Sequence, residues 1–214
     1  WYIMDKQYNI PTTKIDTRII ERLNLDKFTH FIFPSFNGNL SNKVVLKIKS
    51  WIEKGGTMIL YREAINWAKD SNLIDIQMLE NNLVAKNIDF IDKKNFKTAQ
   101  RISGAIFKAN LDRSHPINFG IENNSIALFR NTNIFLKPDD HSYNNPIKYD
   151  KFPLISGYIS DENLKILSNT VPFRIDSIGS GKIIIMTDNT NFRGYWIGTQ
   201  HYLANMIFYS RFMN

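Results

Sequence analysis

The stretch SNKVVLKIKSWIEKGGTMILY, residues 41–61, decides the fold class. Val44, Val45, Ile48, Trp51 and Ile52 recur at spacings of three and four, which places them on one stripe of a helix. Ser41 stands just before them, where its hydroxyl can accept a free first-turn N–H. Gly55 and Gly56 follow, as suits a helix that closes in the left-handed conformation. Thr57–Tyr61 (TMILY) then runs almost without a polar break, the pattern of a strand buried on both faces in a parallel sheet. Helix, glycine pair and buried strand together form the return half of a βαβ unit.

The same alternation extends outward. On the amino-terminal side, Phe28–Pro34 (FTHFIFP) reads as another doubly buried strand. Before it, Asp16 or Thr17 can cap a helix running to about Leu23, and Trp1–Met4 has the composition of a short strand. On the carboxyl side, Arg62–Lys69 leads into a further helix. Residues 70–150 are less regular, with strands predicted at Ile102–Ala109 and Ser125–Arg130 and a loop at Lys137–Tyr149. Regular pattern resumes with strands at Pro153–Ile159 and Val171–Ile178. A Gly179-Ser180-Gly181 turn leads into Lys182–Thr187, and a polar loop covers Asp188–Gly194. A last helix, opening at Trp196 or Gly198 and ending near Phe212, is predicted to bury Leu203, Met206, Ile207 and Phe208. The class is α/β with a mostly parallel sheet and an irregular, partly antiparallel insertion around 70–150.

Composition narrows the function classes. With 43% apolar and 13% aromatic residues in 214, the chain can bury the core of one large domain, expected to span 1–214. No window approaches the roughly 18 uninterrupted apolar residues of a membrane helix. The sequence has no cysteine, which excludes disulfides and a thiolate nucleophile. The net charge of +7 admits a polyanion, but the densest basic cluster, Lys93, Lys94, Lys97 and Arg101, is loose, so nucleic acid is not the favoured partner. The chain opens on Trp1 with no charged and apolar leader, from which we expect a piece of a longer protein.

The run Asp188-Asn189-Thr190-Asn191-Phe192-Arg193-Gly194-Tyr195-Trp196-Ile197-Gly198-Thr199, followed by Leu203-Ala204-Asn205, is distinctive. So is the order of Gly55-Gly56-Thr57, Leu111-Asp112, His115-Pro116, Phe119-Gly120, Ser156-Gly157-Tyr158 and Gly179/Gly181 before Lys182. These segments resemble the domain found downstream of the catalytic domain in bacterial zinc carboxypeptidase-like proteins. The resemblance implies a flavodoxin-like, three-layer fold similar to class I glutamine amidotransferases. It also implies an upstream peptidase domain on the same polypeptide and a periplasmic or secreted location. An active amidotransferase carries a cysteine on the turn after its third strand; the matching turn is Leu60-Tyr61-Arg62-Glu63-Ala64, with no nucleophile. The matching oxyanion loop, Pro34-Ser35-Phe36-Asn37-Gly38, lacks paired glycines, and no histidine falls near Asp188–Asn191. The peptidase zinc site is missing as well. His30, His115, His141 and His201 are followed three positions later by Phe33, Asn118, Asn144 and Ala204, none the Glu of His-x-x-Glu. Zinc is therefore expected only in the upstream domain, with no cofactor or metal here, and the chain itself is expected not to be an enzyme.

What remains is a candidate ligand site. Ligands of open α/β sheets bind outside the carboxyl ends of the strands. Arg62, Glu63, Asp188, Asn191, Arg193 and Thr199 all follow predicted strands, and they suit a carboxylate, a sugar or a peptide end, with Arg193 as charge-assisted donor. The alternative is that Arg193 pairs with Asp188 or Glu63 and fixes the loop. His115 reads as a local turn contact, Trp51 as core and Trp196 as a helix-start anchor or a partly exposed ring. Asp139-Asp140-His141 offers cation-ligand types in a loop. The expected role is an accessory domain of the peptidase, with a degenerate-fold enzyme or a small-ligand module as the alternatives.

Overall fold

The computed structural model describes residues 1–80, 83, 85 and 87–213. Five α-helices occur among them: α1 (Asn42–Glu53), α2 (Ala64–Asp70), α3 (Lys93–Ala99), α4 (Asp161–Leu167) and α5 (His201–Phe208). The strands are β1 (His30–Phe33), β2 (Thr57–Tyr61), β3 (Met78–Leu79), β4 (Ala105–Leu111), β5 (Ser125–Arg130), β6 (Phe135–Leu136), β7 (Ile147–Gly157), β8 (Phe173–Ile178) and β9 (Gly181–Met186). The Ser41 hydroxyl caps α1 by accepting the Val44 N–H, and Gly55 leaves the helix at φ +113°.

The main sheet has the order β1-β2-β9-β8, with β1, β2 and β9 parallel and β8 antiparallel to β9. Strand alternation sorts its side chains. Met58, Leu60, Ile183 and Ile185 pack against α1 and α2, whereas Ile59, Tyr61, Ile184 and Met186 face the other way. That second face is covered by α5 and by an antiparallel sheet of order β5-β4-β7. The result is the three-layer, flavodoxin-like α/β arrangement that the sequence pattern and the resemblance imply, with the second sheet as its antiparallel insertion. Close approach explains Gly181: a Cβ there would lie 1.9 Å from the Ile52 carbonyl oxygen, so only glycine lets β9 pass the end of α1.

Several local expectations are corrected. Residues Ile3–Gln7 form a helical turn, not a strand, because their backbone bonds close locally, the Asp5 N–H on the Trp1 carbonyl and the Tyr8 N–H on that of Ile3. The helix expected to Leu23 shrinks to a 3-10 turn, Thr17–Ile19, capped by Asp16; Ile20 is the buried apolar residue there, too little to hold an amphipathic helix. In β1 burial alternates, since it is an edge strand. The loop expected through Tyr149 ends at Ile147, where β7 begins. Phe208 is 60% exposed, because α5 turns that side to solvent.

Candidate functional site

Parallel register brings two strand ends together. Tyr61 of β2 pairs with Met186 of β9, so Arg62 and Thr187-Asp188 leave the sheet side by side, and the Arg62 N–H donates to the Met186 carbonyl. Arg62 adopts φ +54°, a left-handed conformation unfavourable for a side chain with a Cβ, and Glu63 follows as the residue before α2. The chain thus makes a sharp strand-to-helix elbow at the position the resemblance assigns to the amidotransferase nucleophile. Such strain concentrates at functional sites.

Around the elbow, Ser35 Oγ donates to Glu63 Oε2 at 2.8 Å, and Arg62 Nη2 donates to Glu63 Oε1 at 3.2 Å. The Tyr61 hydroxyl is buried and hydrogen-bonded to Thr190 Oγ1 at 2.9 Å, and Thr190 in turn donates to Asn191 Oδ1 at 2.8 Å. Burial pushes the Tyr61 phenol far above its ordinary range, with the Thr190 bond as partial offset, so it stays a neutral donor. This relay fixes the Asn191 amide with its oxygen inward. Asn191 Nδ2 and Arg62 Nε are both buried without a hydrogen-bond partner among the described residues. Each is a donor without an acceptor, one after β2 and one in the loop after β9.

Asp188 is placed differently. It is fully buried between the two sheets, with Oδ1 accepting from Arg130 Nη1 at 2.8 Å, Tyr149 Oη at 2.7 Å and Thr187 Oγ1 at 3.1 Å. Arg130 Nη2 also donates to the Ile134 carbonyl. Burial raises the Asp188 carboxyl above the usual carboxylate range, and Arg130, Tyr149 and Thr187 pull it back. Arg130 stays charged: burial opposes its charge, and Tyr149 and Asp188 more than offset that.

Of the six predicted site residues, the structure joins Arg62 to Glu63 and holds Asn191 beside them in sequence register, bonded to Tyr61 and Thr190 past the end of the neighbouring strand. Thr199 is buried and donates to the Thr190 carbonyl at 2.6 Å, fixing the loop. Arg193 pairs with neither Asp188 nor Glu63. It sits at φ +51°, exposed, over the Phe192 ring, which itself stacks on Phe129. Sequence reading missed Arg130 and Tyr149. Their signal was phase: Arg130 lies two residues after buried Leu128, and Tyr149 two after Ile147, so both point inward. Ser35 was placed in the matching oxyanion loop, not beside Glu63. His115 Nδ1 accepts the Ile117 N–H, the local turn contact expected of it. Asp139 is taken up by the His141 N–H, Asn144 and Arg174. Trp196 is half-buried and donates to the Ala127 carbonyl.

No protein-family model and no curated protein sequence matches the chain. Solved structures do. A cytoplasmic protein of Salmonella typhimurium, STM3548, superposes at a TM-score of 0.53 and 8% identity, over 97% of this chain and 83% of that one. A ThuA-like protein of Bacteroides uniformis does so at 0.52 and 11%, over 95% and 78%. PurLQS of Thermotoga maritima aligns at 0.49 and 12%, over 78% and 68%. The chain spans 22% of the length of the GH42 β-galactosidase Gan42B, to which it also aligns. At these identities the likeness is one of fold, and that fold is amidotransferase-like α/β. One expectation is overturned. The missing triad removes one chemistry only, and the expectation that the chain is not an enzyme does not stand.

Proposed function

We propose that the chain is an accessory domain of a longer, exported, zinc carboxypeptidase-like protein, and that its elbow is a recognition site for a ligand carboxylate, with a peptide end as the favoured source. The observation that carries the ligand reading is the pair of open donors, Arg62 Nε and Asn191 Nδ2, at strained backbone where β2 and β9 end. A carboxylate presents acceptors to both, and a charge-assisted bond to Arg62 supplies affinity as well as orientation. The accessory role rests on the ordered sequence segments shared with the peptidase-linked domain. Zinc belongs to the upstream domain in this reading, and that domain is the natural source of a peptide end. Calorimetry with a short peptide bearing a free carboxyl terminus, against its amidated twin, tests it. The free acid should bind, the amide should bind about tenfold more weakly or not at all, and Arg62→Met should abolish the difference. Equal binding of acid and amide sinks the assignment.

A second reading is favoured by one contact, the Ser35–Glu63 hydrogen bond at 2.8 Å, which sets a hydroxyl beside a carboxylate at the elbow. There Glu63 would hold the proton of Ser35 during acyl transfer. Turnover of an activated ester that Ser35→Ala eliminates would support it; turnover that survives the change would reject it.

A further inference from the structure

At the opposite, amino-terminal end of the main sheet lies a groove of about 620 Å³, within the range of small-ligand sites. Lys54, His30, Lys182, Arg211 and Phe208 line it, and Asp26 is its one acidic lining residue. Lys182 is already engaged, donating to the Ser210 and Met213 carbonyls. The exposed Lys54 and Arg211 side chains have no hydrogen-bonded or ionic partner among the described residues. His30 is half-buried, with Nε2 3.5 Å from Ser210 Oγ. Burial holds its imidazole below the ordinary range, and the charge of Arg211 adds to this. Phe208 stands on the rim, 60% exposed, where a ring can lie against it. Lys54, Lys182 and Arg211 against Asp26 leave the groove with a net of about two positive charges, the complement of what a phosphomonoester carries near neutral pH. The planar fork of Arg211 matches phosphate oxygens.

We propose that this groove binds a small phosphomonoester carried on a ring, with Lys54 and Arg211 on the phosphate and Phe208 against the ring. The test is titration of the protein with 4-nitrophenyl phosphate and, separately, inorganic phosphate, read by the imidazole C–H resonances. The ester should shift the His30 resonance and raise its midpoint, because a dianion beside it favours the protonated ring. Inorganic phosphate should bind the same site more weakly. The Lys54→Ala/Arg211→Ala double variant should lose about tenfold or more in affinity, and Phe208→Ala should erase the advantage of the ester over phosphate. Arg193→Ala, at the other end of the sheet, should bind the ester as the wild type does. An unmoved His30 resonance, or equal affinity in the double variant, overturns the proposal. Heparin binding with no response to the ester also overturns it, in favour of an extended polyanion.

Discussion

Two arginine–carboxylate pairs stand at the carboxyl ends of the same sheet and do opposite things. Arg130–Asp188 is 1% and 0% exposed, spans 58 positions of sequence and is bridged by Tyr149 and Thr187. Arg62–Glu63 joins neighbours in sequence, 25% exposed each, on a left-handed residue whose Nε has no partner. The first pair ties the antiparallel sheet to the last strand of the parallel one. The second reaches only to Ser35, through Glu63, and joins no two sheets; each pair leaves a buried atom without a hydrogen-bond partner among the described residues, Arg62 Nε in one and Arg130 Nε and Asp188 Oδ2 in the other. Residue type is therefore no guide to role here; depth and the reach of the contacts are.

The largest effect should come from breaking the fully buried pair. Asp188→Ala leaves a buried guanidinium without its counter-charge, and a loss of about 3–5 kcal/mol is expected, read from the urea midpoint. Replacing both members, Arg130→Met with Asp188→Leu, should recover most of it, since the desolvation cost of both charges disappears. A cost below about 1 kcal/mol for Asp188→Ala would mean that the network does not join the layers. The pair also has a pH signature. Burial raises the folded-state pKa of Asp188, so the folded chain holds that proton more tightly than the unfolded one. The Asp188 contribution to stability must then fall as pH rises from the ordinary carboxylate range, about 4, through the raised value. Exposed Asp112 and half-buried Asp139 and Asp150, whose carboxyls are held low chiefly by hydrogen bonds, act with the opposite sign. Subtracting the profile of Asp188→Asn from that of the wild type isolates the buried group. A flat difference would show that Asp188 is ionised as easily folded as unfolded.

The open pair should respond in reverse. Arg62→Gly removes a side chain from left-handed backbone, so stability should rise by about 0.5–1 kcal/mol while carboxylate binding is lost. A rise in Tm together with loss of the calorimetric signal would mark strain kept for binding. If Arg62→Gly destabilises instead, the Glu63 contact holds the elbow and the contrast between the pairs narrows.

The layers were legible because they follow from local rules. The stripe from Val44 to Ile52, the Ser41 cap and the unbroken TMILY strand each leave one consistent reading, and the structure has all three. The elbow was legible too, since Arg62 and Glu63 directly follow that strand. What escaped was pairing at long range. Asp188 was read as a loop residue beside Arg193, whereas its partner comes from β5, in the segment whose strand order the pattern left open. Trp1–Met4 failed for another reason: apolar composition alone does not distinguish a pleat from a turn whose backbone bonds close locally.

A third arginine gives the smallest effect and the sharpest boundary. Arg193 shares the left-handed backbone of Arg62, at φ +51° against +54°, yet it is exposed and its guanidinium rests on Phe192. Strain is thus common to both, and the difference lies in what surrounds the head group. If an open, half-buried donor is what makes a site, Arg193→Ala should leave stability within about 0.5 kcal/mol and peptide affinity unchanged. The same titration that loses its signal in Arg62→Met should then be indistinguishable from wild type in Arg193→Ala. An affinity loss comparable with that of Arg62→Met would extend the site over the 191–195 loop, and strain with charge, without burial, would be enough to define it.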